Sequence, residues 1–388
     1  MARIPLAWKN LTHSKPKLAL SLAGVAFAVV LMFMQTGFRN ALFDSTVQPI
    51  DELDADLVLL SRARYSISRL VRFPHEQLGI AAATPGVREV KPLYIEMLAA
   101  VFRCGNRRAR PIRVFGIDPD HCPLTNPEIL AQLDKIRRPQ AALMDRRTKS
   151  VFGLDPLLAD NNCEQLAELA NQKIAIVGAF NLGTDFANEG TLAISAESFA
   201  DYFPHRGNQH PLNVVDLGLV KVADPARVQE VKARLIKALP PETLVFTRDE
   251  LRRREIRFWA TNTPIGIIFG IGTLMGFVVG VIICYQVIYN DINDHMAEFA
   301  TLKAMGYPAS FFAKLMLTQA VYLSMLGFLP GLLVSWGMFS LLAASTGLLM
   351  RMTLWRAAII LALTVLMCVI SGAIAMRRLI SADPASLF

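Results

Sequence analysis

Two stretches of this chain hold no Asp, Glu, Lys or Arg: the 33 residues from Phe258 to Asn290 and the 36 from Leu315 to Met350. Runs of that length have one comfortable solvent. A bilayer core of about 30 Å takes about 20 apolar helical residues, and a helix there satisfies all its own backbone groups. Leu18–Phe38, Pro264–Ile288, Leu315–Leu342 and Ala357–Met376 each meet the requirement, so the sequence predicts four transmembrane helices. The chain is 53% hydrophobic with a mean hydropathy of +0.38. Soluble domains sit near about 45–50% apolar, and the excess here is gathered in those four runs. The predicted fold class is an α-helical membrane protein with four transmembrane helices and a large α/β extracytoplasmic domain.

Orientation follows from the distribution of Lys and Arg. Residues 1–17 hold Arg3, Lys9, Lys15 and Lys17 and no acid, which places the N-terminus in the cytoplasm. Four crossings return the C-terminus to the same side, where Arg377 and Arg378 lie. The first run is read as an uncleaved anchor rather than a signal peptide, because it is long and no small-x-small cleavage pattern follows Gln35 to Phe38. The expected organisation is a cytoplasmic segment 1–17, membrane helices over 18–38, 247–290 (with a stalk leading in), 315–345 and 355–376, a cytoplasmic loop 291–314 and a tail 377–388. Segment 39–260 lies outside; long translocated domains escape the positive-inside rule.

That outside segment begins and ends with one pattern. Ala55–Ser61 reads as a strand, Pro74 to Ala83 as a helix stopped by Thr84-Pro85-Gly86, and Val87–Val101 as a strand. Near the other end, Val215–Val222 reads as a strand. Asp224-Pro225 opens a helix to Leu239, and Thr243–Thr247 is again a strand. Two β-α-β ends, 39–103 and 214–250, are expected to pack as one right-handed module, with 104–213 inserted as a second lobe. From Thr247 the reading is helical, and a continuous stalk into the second membrane helix is expected, with Trp259 at the interface; a break at Thr263-Pro264 is the alternative.

The net charge of +8 sits largely beside membrane helices and gives no reason to expect nucleic acid. The basic cluster Arg103, Arg107, Arg108, Arg110 and Arg113 is read as a solvated hairpin tip, with an acidic partner or a lipid headgroup as the alternative. Cys284 and Cys368 fall in membrane helices and read as small apolar fillers. Cys104, Cys122 and Cys163 lie outside, where a Cys104–Cys122 bridge is one possibility.

Enzymatic signatures are missing. No GxxxxGK[ST] phosphate loop, HExxH or CxxC occurs. His205 and His210 have no carboxylate or thiol company, so no metal is expected. Ser195 lacks the glycines of a nucleophile elbow. The four membrane runs contain no ionisable residue of the kind that proton- or sodium-driven carriers keep. Gln35, Gln286 and Gln319 are their most polar members, and Gln319 is expected to bond to a neighbouring helix.

Between the two longest uncharged runs stands MAEFATLKAMGYP, Met296 to Pro308. A helix so short cannot bury a core alone. Met296, Phe299, Leu302 and Met305 recur every third residue and are read as one apolar face, while Gly306 suits the left-handed C′ position and Pro308 forbids continuation. The face is expected on a protein partner rather than on lipid, since Asp291, Asp294 and Glu298 oppose the basic polar face of an interfacial helix.

EFATLKAMGYP resembles the E-x-x-x-L-x-x-x-G loop of FtsX/MacB-type ABC permeases. Ala7-Trp8-Lys9-Asn10-Leu11 is similar to their N-terminal amphipathic segment, and Arg377-Arg378 through Asp383-Pro384-Ala385 to their tail. Gly24 to Ala28 and Phe33 to Phe38 resemble the DevC branch, permeases of cyanobacterial exporters. The resemblance implies a homodimeric inner-membrane permease without an ATPase site or cofactor of its own. ATP would be bound by a separate ABC subunit docking on Met296, Glu298, Phe299, Thr301, Leu302, Lys303, Met305 and Gly306. It also implies a membrane-fusion adaptor, a TolC-like outer-membrane duct and export by mechanotransmission. An FtsX-like transducer acting on a cell-wall hydrolase and a lipoprotein-releasing permease are the alternatives, and the substrate (glycolipid, lipid, peptide or drug) is not legible.

Overall fold

The computed structural model describes residues 15–154, 164–185, 188–296, 298, 301–302, 305–346, 350 and 352–381. The chain divides into a helical unit (Met1–Asn40, Pro264–Ala343 and Met350–Phe388) and an α/β unit (Ala41–Thr263 with Ala344–Leu349). The first helix, α1 (Lys15–Asp51), runs well past the apolar stretch that ends at Phe38. Its last turns carry Val47 and Ile50, which are buried in the α/β unit. Burial of those two side chains is the physical reason the helix continues beyond the residues that lipid alone would require.

In the α/β unit the order is β1 (Leu57–Ser61), β2 (Phe73–Pro74), α2 (Glu76–Ala82), β3 (Val87–Glu96), β4 (Val101–Arg103), β5 (Arg110–Pro111), β6 (Arg113–Ile117), β7 (Ala141–Asp145), β8 (Gln165–Leu169), β9 (Gln172–Phe180) and β10 (Thr191–Ser195). Then come α3 (Ala196–Tyr202), β11 (Val214–Val215), β12 (Leu217–Val222), α4 (Val228–Ala238), β13 (Thr243–Thr247) and α5 (Arg248–Thr261). The main sheet has eleven strands in the order β13-β1-β12-β3-β6-β10-β7-β9-β8-β4-β5. The two β-α-β ends interleave in it. β12 lies between β1 and β3, and β1 lies between β12 and β13, all antiparallel to their neighbours. This is the split arrangement of a ferredoxin-like module.

The inserted residues continue the same sheet. β3 pairs with β12 along its first part and with β6 over Tyr94–Glu96, so one strand serves both halves. Beyond it the ladder becomes mixed, with β6–β10 and β7–β9 parallel. Both faces are covered. Leu57 and Leu59 belong to one core with Leu78, Phe199 and Leu235 from the helices. Val58 and Leu60 belong to the other, with Ile50, Ile129 and Leu251. Strands buried on both sides read as unbroken apolar runs, and this is why ADLVLLS shows no alternation.

Several expectations are corrected here. The helix from Thr247 does not run into the membrane segment. α5 ends at Thr261 with Asn262 as its C-cap, and α6 (Pro264–Asp294) begins at the proline. Pro264 has no N–H to continue the ladder and disfavours helix in Thr263. Trp259 donates its indole N–H to Glu255 (3.0 Å). Of the basic cluster, Arg103 pairs with Glu168, Arg110 with Glu189, and Arg113 is buried against Asp185 at 2.6 Å. Only Arg107 and Arg108 lack an ion pair among the described residues. Cys104 and Cys122 are free, buried thiols in opposite cores; Cys163 lies outside the described residues. Ser195 is the N-cap of α3, accepting from the Ser198 N–H.

The helical unit comprises the first part of α1 with α6, α7 (Ala309–Thr346) and α8 (Leu354–Ser381). Among the described residues, four helices are long and apolar enough to cross a bilayer: Lys15–Asp51, Gly266–Asp294, Ser310–Ala343 and Leu354–Met376. Their packing uses small residues, as lipid-embedded helices do. A Cβ on Gly331 of α7 would stand 3.1 Å from the Ala26 carbonyl oxygen of α1, so the backbones meet there. Ser371 on α8 donates to the Val281 carbonyl of α6 at 2.8 Å, and the Cys284 and Cys368 sulfurs lie 3.5 Å apart.

Where the two halves of the sheet join, Asp216 is fully buried. Its Oδ2 accepts from the Ile95 N–H (2.8 Å) and from Arg206, and its Oδ1 lies 3.5 Å from Arg64. Burial pushes the Arg64 guanidinium below its usual pKa, while Asp216 and Glu255 oppose that shift. Breaking a buried pair from one side costs about 3–5 kcal/mol. Asp216→Ala is therefore expected to lower the unfolding midpoint of the α/β unit by about 6–20 °C (about 2–4 °C per kcal/mol for a unit this size). Circular dichroism of the full chain in detergent checks this, and a midpoint equal to wild type would refute it.

Candidate functional site

The candidate site is the segment joining α6 to α7. It is built on a polar collar at that end of the helical unit. Lys17 of α1 reaches Asp294 of α6 (2.6 Å). Gln319 of α7, almost wholly buried, donates through Nε2 to Asp291 Oδ2 (3.2 Å). His295 Nδ1 lies 3.0 Å from the Asp291 carbonyl oxygen. Three helices are thus pinned together one turn before the segment begins. Gln319 bonds to a neighbouring helix as its polarity predicted. Lys17, Asp291 and Asp294 enter the sequence reading as charges that orient the chain and oppose an interfacial helix, not as a meeting point, and His295 is not singled out. Asp291 and Asp294 are the first acids after the run 258–290, which holds no Asp, Glu, Lys or Arg, but nothing local in that pattern reports their partners.

The segment ends in a Schellman turn. Gly306 has φ +90°, and the Tyr307 N–H reaches back to the Leu302 carbonyl (3.2 Å). With Gly306 at C′, that is the bond from C″ to C3. The Met305 N–H bonds the Thr301 carbonyl (3.0 Å), and Pro308 then precedes α7. The Tyr307 and Phe311 rings meet with centroids 4.8 Å apart, tilted by 50°.

The apolar positions do not share one face. Met296 and Leu302 pack against the core of the helical unit, whereas Met305 is 63% exposed. Helix geometry explains the correction. At about 100° per residue, a strict spacing of three slips back about 60° at each step, so Met296 and Met305 fall on opposite sides. Glu298, Thr301, Met305, Gly306 and Tyr307 are outward. Phe299 and Lys303 lie outside the described residues, as do Ala7 to Leu11 and Asp383 to Ala385. The outward set comprises one acid, an aliphatic and a phenolic hydroxyl, and a flexible thioether. The set holds no nucleophile–base pair. Among the described residues no group of His, Cys, Asp and Glu could hold a metal ion.

The turn depends on a backbone conformation that L side chains rarely adopt, at a cost of about 1–2 kcal/mol. Gly306→Ala is expected to raise amide hydrogen exchange at Met305 and Tyr307 about fivefold or more. Gly270→Ala, on α6 with open space around it, should change neither. Unaltered exchange in Gly306→Ala would show that the turn is not held by the glycine.

No curated protein matches the chain. Among solved structures, the periplasmic region of MacB from Actinobacillus actinomycetemcomitans aligns at 10% identity and a TM-score of 0.34, covering 52% of this chain and 92% of that one. The extracellular domain of the noncanonic ABC-type transporter YknZ from Gram-positive bacteria aligns at 10% identity and a TM-score of 0.32, covering 50% and 99%. The helical unit gives the sequence match: residues 267–384, which contain the whole candidate segment from His295 to Pro308, match the family model described as FtsX-like permease C-terminal.

Proposed function

We propose that this chain is the membrane permease subunit of an ABC-type exporter, driven by an ATPase supplied as a separate polypeptide. The observation that carries the reading is the match of residues 267–384 to FtsX-like permeases, with the pinned segment between α6 and α7 inside it. A short, rigidly capped segment with Glu298, Thr301, Met305 and Tyr307 outward suits docking on a soluble subunit. The absence of a phosphate loop in the sequence requires that subunit to bring the ATP site. The four membrane cores carry no Asp, Glu, Lys, Arg or His, so they suit levers better than a lined pore. In this reading two copies pair in the inner membrane with both termini in the cytoplasm. The α/β unit works outside, with a membrane-fusion adaptor and a TolC-like duct, and ATP-driven closure expels cargo by mechanotransmission. Nucleic acid has no part in it.

The purified chain should hydrolyse no ATP, and turnover should appear only on adding its ATPase. Turnover by the chain alone would remove the ABC reading. Docking is tested at the face the structure turns outward. A buried anchor in an interface carries about 2 kcal/mol, so Met305→Asp should reduce ATPase co-purification tenfold or more at matched membrane levels. Met296→Asp should instead lower the chain's own membrane yield, since Met296 packs inward. Full ATPase recovery with Met305→Asp would place the docking surface elsewhere.

Orientation has its own test. Among the described residues the native cysteines are buried, and with Cys163 replaced by serine an introduced cysteine reports alone. An impermeant maleimide should label Arg108→Cys from the periplasm and leave Met305→Cys unlabelled. The opposite pattern would invert the topology.

A further inference from the structure

The collar that steadies the candidate segment also lines a cavity of about 830 Å³ among α1, α6 and α7. Its lining has two chemistries. Leu20 of α1, Val287 of α6 and Leu323 of α7 belong to the apolar runs, and Leu20 is 76% exposed. Lipid tails are as apolar as leucine, so on a membrane-spanning helix an outward leucine marks the side that faces acyl chains. One part of the cavity therefore lies on the lipid side.

The polar part of the lining does not balance. Asp291, Asp294 and Glu298 stand there with Lys17 and His295. Lys17 is committed to Asp294 (2.6 Å), and His295 Nδ1 lies 3.5 Å from Asp291 Oδ1. Glu298 is exposed and has no ion pair among the described residues. Even with His295 protonated, the three carboxylates exceed the two cations. A second shortfall lies deeper. Gln319 is 3% exposed, its Nε2 is used on Asp291, and its Oε1 is enclosed without a donor among the described residues. A buried carbonyl left without a donor is costly, and the adjacent Asp291 carboxylate can accept more bonds than it receives. Surplus acceptors on an acidic wall ask for a cation that brings hydrogens. A metal ion does not fit, because among the described residues no group of His, Cys, Asp and Glu could hold one. A primary ammonium fits: it carries one charge and three donors in a compact head.

We propose that this cavity binds an amphiphile with a primary ammonium head, the ammonium on Asp291 and Gln319 Oε1 and the apolar part along Leu20, Val287 and Leu323. The apolar lining selects against a short soluble polyamine. The unmet acceptors select against a quaternary ammonium, which has no N–H to give. Two sources supply this chemistry: an aminophospholipid of the surrounding leaflet, and a single-chain amine carried as cargo, the second resting on the permease reading. Occupancy needs neither nucleotide nor ATPase.

The test is native mass spectrometry of the full-length chain in detergent, with phospholipids of identical acyl chains. Dioleoyl phosphatidylethanolamine should be retained about tenfold more than dioleoyl phosphatidylcholine, whose methylated nitrogen cannot donate, as expected when a charged hydrogen bond is lost. Asp291→Asn should cut phosphatidylethanolamine retention about tenfold for the same reason. Glu298→Lys, at an exposed position, should also lower it by setting a like charge at the polar wall, and it keeps the test decisive if Asp291→Asn does not fold. Competition between phosphatidylethanolamine and dodecylamine tells which source is preferred; retention of either supports the proposal. Equal retention of the two phospholipids, displacement by spermidine or Mg²⁺ as effective as displacement by dodecylamine, or wild-type retention in either folded variant would overturn it. ATPase co-purification is scored separately on the wild-type chain, so failure of the permease reading leaves this result intact.

Discussion

The α/β unit depends on one carboxylate. Asp216 stands just before β12, the strand that must pass between β1 and β3, and it is wholly enclosed. It takes the Ile95 N–H from β3, Arg206 from the segment after α3, and the proximity of Arg64 from the segment after β1. A charge in such a place is destabilising unless paired and hydrogen-bonded, so the residues that satisfy it must arrive together. Asp216 thereby fixes the register of the join between the interleaved module and the inserted strands. Arg64 extends the same demand outward: its Nη2 holds the Ile67 carbonyl, and Glu255 of α5 accepts from Ser66 and the Ile67 N–H.

Much of this architecture was legible in the sequence for plain reasons. Uncharged runs as long as 258–290 have only one solvent, and they became α1, α6, α7 and α8. Most strand and helix spans of the two β-α-β ends also emerged near their expected limits, because Thr84-Pro85-Gly86 and Asp224-Pro225 are local signals, but the strand expected over Val87–Val101 stops at Glu96, where a turn intervenes. The interleaving was not legible: β1 and β12 are far apart in the chain, and nothing in either states which strand will lie beside it. The continuous sheet through β3 was hidden for the same reason. The break at Asn262-Thr263 was visible as a proline and was outweighed by the helix-favouring residues before it.

At the candidate site the sequence showed the segment and its terminating glycine, and it misjudged the faces. A spacing of three looks like a stripe on paper, yet it winds around the helix, so Met296 and Leu302 turn inward while Met305 turns out. What steadies the segment was also hidden. The collar of Lys17, Asp291, Asp294 and Gln319 joins residues from three helices, and no local pattern reports such a meeting. Its strongest bond is geometric rather than energetic: Lys17 and Asp294 are exposed, and exposed pairs contribute little, whereas the buried amide of Gln319 can satisfy Asp291 only with α6 and α7 in one relative position.

The interleaved sheet also dictates when the unit can fold. Leu57 on β1 pairs with Val220 on β12, and β3 waits for the same strand. At about 5–20 residues per second, the ribosome needs on the order of ten to thirty seconds to make the chain between them. Through that interval β1 and β3 each have a bare edge and apolar faces, beside a membrane anchor already synthesised. Long-range pairing of this kind is slow and exposed to misassociation. A nascent chain of this design therefore spends its vulnerable period half-made, and it depends on its cellular surroundings to keep that edge single until β12 arrives.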